Sequence, residues 1–311
     1  MVSKIEGSKV KPVAGITYAL AAFMLWGFLP LYWKLIGAFN PVEILANRIL
    51  WSVVFVFLLL NHRKQLDEVR AVFRSPRKLA LVTLSSIIIS GNWFVYIWAV
   101  NSNHVIETSM GYYINPLIVI LMGMIILKEK LEKLEILAIL LAFTGVMVMT
   151  VQYGQMPWIS LFLAVSFSLY GLCKKMVRID SLVALGIETL LLAPIALGYL
   201  LINQGSFRTT MSNAAPMTVV LLSLSGIFTA LPLLWFARAA RLVPLSVLGF
   251  TQYLSPTITL LLGIYLFHEP FSLIHGASFG LIWIGLIIFS FVQARKINTS
   301  RKEMRRNKGE I

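Results

Sequence analysis

The sequence predicts an all-α membrane protein with ten transmembrane helices in two inverted five-helix repeats and both termini cytoplasmic. Three observations carry this prediction: an apolar, charge-poor composition, a lopsided placement of Lys and Arg, and a repeat at a separation of 140 residues. Hydrophobic residues fill 58% of the 311 positions and charged residues 13%, with a mean hydropathy of +0.82. Soluble domains run nearer half apolar and a quarter charged. A hydrocarbon core about 30 Å thick needs roughly 20 apolar residues per helix, so ten such helices would take about two thirds of this chain.

The apolar runs fall at 12–36, 42–61, 78–100, 105–127, 132–151, 157–177, 181–202, 215–237, 243–267 and 271–293. The first follows Lys4, Lys9 and Lys11, but it is too long for a signal-peptide core and no small-residue cleavage site follows it. It is therefore read as the first span. Connections are short. The longest, 61–78, carries His62, Arg63, Lys64, Arg70, Arg74 and Arg77 and must lie at the surface. With the N-terminus inside, 24 of the 27 Lys and Arg residues fall on the cytoplasmic side, including Lys174, Lys175 and Arg178. Lys34, Arg208 and Arg48 are the exceptions. This is the positive-inside pattern, and a single miscounted span would destroy it. The +14 net charge thus points to lipid headgroups as partners of the basic tail from Arg295 and not to nucleic acid. Cys173, the single cysteine, reads as a small packing residue.

Tyr113, Pro116, Gly123, Glu129 and Gly145 are matched by Tyr253, Pro256, Gly263, Glu269 and Gly285. Nearer the front of each half, Trp26-Gly27 pairs with Tyr170-Gly171 and Glu43 with Glu188 at almost the same spacing. The chain divides into a first half, 1–153, a second, 154–294, and a basic tail, 295–311. Five spans is an odd number, so the second half inserts upside-down. Inverted repeats around a midplane site are a transporter architecture.

Several chemistries are unsupported. No Walker-type phosphate loop, His-Glu-x-x-His, cysteine pair or Gly-x-Ser-x-Gly elbow occurs, and His62, His104, His268 and His275 are scattered. No enzyme, cofactor or metal site is predicted. Intramembrane charge costs roughly 2.5–3.5 kcal/mol and marks functional candidates. Arg48 lies about 9 Å down the second span. It either contacts an anionic group of a substrate, gates the outer mouth, or is satisfied structurally by a partner on another helix. Glu188, at a similar depth from the inner side, is a candidate coupling group or a helix lock. Glu129 and Glu269 read as caps at helix ends. Pro30, Pro116, Pro232 and Pro256 are candidate hinges, since proline removes a backbone hydrogen bond and bends a helix. Asn92, Trp93, Tyr113, Asn115, Gln252 and Tyr253 combine polar tips with aromatic faces near these bends, and with Trp26 they are the expected walls of a central cavity. Trp33 and Trp98 fit an interfacial belt better. Gly145 and Gly285 read as sites of close helix contact.

The chain resembles the EamA-type branch of the drug/metabolite transporter superfamily, and within it the RarD proteins. The resemblance rests on Trp26-Gly27-Phe28-Leu29-Pro30-Leu31-Tyr32, Glu43-Ile44-Leu45-Ala46-Asn47-Arg48, Asn92-Trp93 and Met110-Gly111-Tyr112-Tyr113-Ile114-Asn115-Pro116-Leu117. In the second half it rests on Glu188-Thr189-Leu190, Thr229-Ala230-Leu231-Pro232-Leu233 and Gly249-Phe250-Thr251-Gln252-Tyr253-Leu254-Ser255-Pro256-Thr257. These stretches span nearly the whole chain in order. Departures are Ser109-Met110, where Ser-Leu is usual, and Lys174, where Arg is expected. The resemblance implies ten helices, inside-facing termini and a permease of the bacterial cytoplasmic membrane. Relatives in the superfamily export metabolites or drugs, and RarD proteins carry a chloramphenicol-sensitivity label. The expected function is a secondary transporter, exporting small metabolites or drug-like solutes by alternating access, with no nucleotide and an unassigned coupling ion. Two rivals are a membrane-embedded sensor or assembly partner, and an enzyme acting on lipid-linked substrates.

Overall fold

Helices begin in this chain where proline or an Asx side chain organises the first turn. Pro41, Pro76 and Pro216 open helices, where their missing N–H costs nothing and their fixed φ suits the helix. Asn40, just before Pro41, and Asp180, just before Ser181, add side-chain caps. The Asn40 side chain accepts from the Val42 N–H at 2.9 Å and that of Asp180 from Leu182 at 2.8 Å, satisfying amides that the helix itself leaves free.

The computed structural model describes residues 12–102, 104–154, 156–177, 179–266 and 273–307. Lys4, Lys9, Lys11, Arg178, His268 and Glu269 lie outside them. Among the described residues every regular element is a helix. In chain order these are α1 (Pro12–Leu35), α2 (Pro41–His62), α3 (Leu66–Phe73), α4 (Pro76–Asn101), α5 (Val105–Ile125), α6 (Lys133–Tyr153) and α7 (Trp158–Met176). They continue as α8 (Ser181–Ile202), α9 (Gln204–Asn213), α10 (Pro216–Leu242), α11 (Leu245–Gln252), α12 (Leu254–Tyr265) and α13 (Leu273–Asn307). Nine segments among the described residues are long and apolar enough to cross a membrane, the α11–α12 run counting as one, and α5 holds a shorter apolar stretch, Met110–Ile125.

Three features differ from the expected layout. The 61–78 connection holds a short helix, α3, whose Val72 is buried while Leu66 and Val69 pack against the main core. Likewise α9 follows α8 and lays Phe207 and Met211 against Leu29, Tyr32 and Leu222. Both are short amphipathic helices, whose apolar stripe is covered only by neighbouring spans. Third, the last helix does not stop near 293 but runs to Asn307. Lys296 there donates to the buried Glu135 carboxylate at 2.7 Å, joined by Gln293 at 2.6 Å.

Helix starts recur at a separation of 140: Pro41 and Ser181, Pro76 and Pro216, Val105 and Leu245. The Asn40 and Asp180 caps keep the same spacing. This register aligns Arg48 with Glu188 and Glu43 with Val183, which corrects the expected Glu43–Glu188 match. Helix packing follows a paired pattern. Helix α1 packs on α10 and α12, while α7 packs on α4 and α5; α2 packs on α10 while α8 packs on α4. Helices α2 with α8, α5 with α11 and α6 with α13 complete it.

Glycine permits the tightest of these approaches. A Cβ on Gly145 would lie 2.6 Å from the Ser278 carbonyl oxygen, and one on Gly285 2.7 Å from that of Ala138. The α6–α13 backbones therefore touch reciprocally, as those two glycines led one to expect. At Gly226 a Cβ would come within 2.3 Å of the Trp51 carbonyl carbon. That places α10 against α2, and Ser52 Oγ closes the seam by donating to the Gly226 carbonyl at 3.0 Å. The main core holds Phe23, Tyr170, Phe236 and Tyr253 fully buried.

Candidate functional site

The expected site residues separate into a polar seam, an aromatic cluster and an isolated cation. The seam lies where α5 meets α7 and α11. Asn115 Nδ2 donates to the Ala164 carbonyl at 2.7 Å and to Ser168 Oγ at 3.1 Å, while its Oδ1 accepts from Gln252 Nε2. Gln252 Oε1 is buried without a hydrogen-bond partner. Tyr113 OH donates to the Pro256 carbonyl at 3.4 Å, and Tyr253 OH to the Tyr113 carbonyl at 3.2 Å. Tyr113, Asn115, Gln252 and Tyr253 are thus brought together. Asn92 sits apart, donating to the Leu163 carbonyl at 2.9 Å and Ser166 Oγ at 2.8 Å. A buried amide must find such partners, and these bonds tie α4 and α5 to α7.

Trp26 joins Phe23, Phe167 and Phe236, with ring centroids 5.5–5.9 Å away. Trp93 packs beside the Ala46, Ile49 and Leu192 cluster and the main core. Pro30, Pro116 and Pro232 lie within unbroken helices. Pro256 differs: α11 and α12 part at Tyr253, whose N–H bonds to Phe250. Proline at 256 has no N–H for the Gln252 carbonyl, yet α5 passes through Pro116 without a break.

Arg48 and Glu188 each lie seven residues into their helices, about 10 Å from the start. Arg48 Nε donates to Thr229 Oγ1 of α10 at 2.8 Å, and its Cζ stands 4.5 Å from the Trp33 ring centroid. The phenols of Tyr32, Tyr96 and Tyr112 are within electrostatic reach of the guanidinium. Among the described residues no carboxylate lies within salt-bridge distance of it. Trp33 therefore serves as a cation–π platform for Arg48.

Glu188 is enclosed. Its carboxylate accepts from Lys174 Nζ at 2.6 and 2.7 Å, from Ser85 Oγ at 2.7 Å and from Tyr170 OH at 3.3 Å. Lys174 is 4% exposed and Glu188 3%. Lys174, counted from the sequence among the cytoplasmic-side cations, is thus buried. It turns inward, while its neighbour Lys175 caps α10 by donating to the Val243 carbonyl at 2.5 Å. Glu129 caps α11, accepting from the Leu245 and Ser246 N–H groups at 2.7 and 3.0 Å. Arg241 Nη1 reaches the Ile179 carbonyl at 2.9 Å. This end of the bundle is cross-linked by ions and caps.

Sequence reasoning missed Lys174 and Thr229 as partners of the two charges, and Tyr112 beside Arg48. Carrying the 140-residue register back through the Asn40 and Asp180 caps would have aligned Arg48 with Glu188. No periodicity signals the hydroxyl and aromatic partners, which come from other helices. Among the described residues no group of three His, Cys, Asp or Glu side chains gathers as a metal site requires.

Comparison with known proteins gives a consistent result. The profile of the EamA-like transporter family matches the chain twice, over residues 13–151 and 156–291. The uncharacterized transporter YojE of Bacillus subtilis is 45% identical over 90% of this chain and 95% of its own length. Protein RarD of Streptomyces exfoliatus is 40% identical over 93% and 92%. A solved crystal structure aligns with 91% of this chain and 98% of its own at a TM-score of 0.68 and 16% identity, a likeness of fold.

Proposed function

The chain belongs to the EamA-like transporter family as a RarD-like permease, and we propose that it is a secondary exporter of small metabolites or drug-like solutes in the bacterial cytoplasmic membrane. In this reading ten spans form two inverted halves, 1–153 and 154–294, with the termini and the basic tail 295–311 cytoplasmic. The halves rock to expose a central site alternately, and the energy comes from an ion gradient or from the solute's own gradient. The observation that carries the reading is the exchange of contacts between halves. Each packing of α1, α2 and α12 recurs with α7, α8 and α5 in the matching roles, which supports two rigid units hinged at self-paired helices. The double family match supports the same division. The Glu129, Lys175 and Arg241 links then close the cytoplasmic end, and Arg48 faces the outer side.

Pro30, Pro116, Pro232 and Pro256 are the bends of this motion, and the break at Tyr253 makes the second half the more compliant. Glu188 is the coupling candidate, because its proton would have to release Lys174. Arg48, Asn92, Trp93, Tyr113, Asn115, Gln252, Tyr253 and Trp26 line the route. The test is an efflux and growth screen on cells overexpressing the chain, challenged with toxic amino acids, their analogues and chloramphenicol. One compound should be better tolerated and leave faster, and Arg48→Ala should lose both at equal membrane abundance. Silence across the panel and in reconstituted vesicles would favour a sensor or assembly partner instead. Topology is checked separately by replacing Cys173 with Ser and labelling single cysteines placed in α3 and α9, which should react from opposite faces.

A further inference from the structure

Resting on the transporter reading, we infer that the solute is a monoanion, an aromatic or otherwise planar carboxylate, and that Arg48, Tyr32, Trp33, Tyr96 and Tyr112 form its binding recess. A guanidinium carries five N–H donors in a rigid plane. Here Nε is used by Thr229 and one face by the Trp33 ring. Among the described residues no acceptor meets the Nη groups, so the edge that binds a carboxylate with two parallel hydrogen bonds is unoccupied by protein. Among the described residues two strongly buried carboxylates are matched by cations, Glu188 by Lys174 and Glu135 by Lys296, and buried Glu43 accepts from the Asn40 N–H. A lone intramembrane cation is costly, and a ligand bearing one negative charge removes that cost.

The recess is open. The Tyr96 and Tyr112 rings meet edge to face with centroids 6.3 Å apart and keep 36% and 51% of their surface exposed, and both phenols reach the guanidinium's field. On the other flank the Tyr32 ring contacts Trp33 at 4.9 Å and Phe228 at 4.5 Å, forming an aromatic wall beside the cation. A planar carbon skeleton stacks on such walls while its carboxylate meets Arg48. One positive charge suits one negative charge, which favours a carboxylate over a phosphate dianion. Removing the Arg48 side chain leaves no orphan, because Thr229 Oγ1 also bonds to the Ser225 carbonyl at 2.8 Å.

The experiment compares 3-phenylpropionate with its neutral isostere 3-phenylpropionamide, as thermal stabilisation of the purified full chain in detergent and as flux in proteoliposomes. The acid should stabilise the wild-type chain and the amide should not. Arg48→Gln should weaken the acid's apparent affinity about 10- to 100-fold, the worth of a charged hydrogen bond, and Arg48→Lys by less. Tyr112→Phe, which keeps the ring, should lower it roughly 3-fold and serves if Arg48→Gln is not monodisperse. Equal stabilisation by acid and amide, no stabilisation by the acid, or an unchanged acid response in the variants overturns the inference. Flux of the amide alone would do the same while leaving the transport reading intact. Acid binding without flux of either compound would sustain the anion site and count against transport.

Discussion

Two cations lie inside this bundle, Arg48 in α2 and Lys174 in α7, and they are handled in opposite ways. Lys174 meets a carboxylate that is itself held by a serine and a tyrosine hydroxyl, so charge and hydrogen-bonding capacity are both satisfied by protein. Arg48 meets a threonine hydroxyl and an aromatic face, which orient the group without neutralising it. A charge that is neutralised in place is a strut, whereas one left electrically unmatched beside open tyrosines is available to a ligand. Chemical type alone does not separate the two roles, because both are single basic residues in apolar helices. What separates them is the set of helices that converge on each.

The largest expected effect is at the strut. Glu188→Ala should strand Lys174 as a buried, unpaired cation and lower stability by about 3–5 kcal/mol, read as the unfolding of purified protein in a fixed detergent. The double change Glu188→Leu with Lys174→Met should recover most of that loss, because no charge remains to be solvated. Failure to recover would mean that the pair does more than compensate itself, and would strengthen Glu188 as the coupling group.

The next effect concerns the surface that positions Arg48 against Thr229. Gly226→Leu forces a side chain into the Trp51 backbone and should cost about 3 kcal/mol or more by parting α2 from α10. Transport should fall further than membrane abundance does, since the Arg48–Thr229 bond spans the same two helices. A fully active, stable variant would show that the seam is not needed to set the recess.

Two caps sharpen the comparison between halves. Asn40→Ala and Asp180→Ala should each destabilise by about 1 kcal/mol, and by similar amounts, as equivalent caps on α2 and α8. A large inequality in the unfolding measurements would argue that the 140-residue register does not carry equal roles.

The smallest stability change is expected at the ligand cation. Arg48→Ala loses one hydrogen bond and one cation–π contact, about 1 kcal/mol each, but also removes an unmatched charge of comparable or greater cost. Net stability should move by about 1 kcal/mol or less while efflux is lost. A loss as large as that of Glu188→Ala would place Arg48 among the struts.

How far the chain can be read before it is folded differs from feature to feature. Apart from the break at Tyr253 and the extension of the last helix to Asn307, the apolar runs anticipate the long helices to within a few residues, because twenty consecutive apolar positions are a local property. The close contacts at Gly145 and Gly285 and the capping role of Glu129 were legible for the same reason. The short helices α3 and α9 were not, since their apolar stripes are brief and acquire meaning only against neighbouring spans. The Glu43–Glu188 alignment misled because two like residues at nearly the right spacing outweighed the helix caps, which bind backbone and leave little compositional trace. Asn92, Asn115, Tyr113, Tyr253 and Gln252 were recognisable as polar residues needing partners, but the partners lie 49 to 143 positions away.

Composition and local order alone settled that this is a multi-pass helical membrane protein, because transfer into hydrocarbon is decided segment by segment. Tertiary structure decided which buried charge is neutralised by the protein and which is not. That outcome depends on side chains from α1, α4, α5 and α10 converging on one guanidinium and from α4 and α7 on one carboxylate. Electrostatic energy inside a membrane falls steeply with distance and with the dielectric around each group, so a residue's role follows from its neighbours in space.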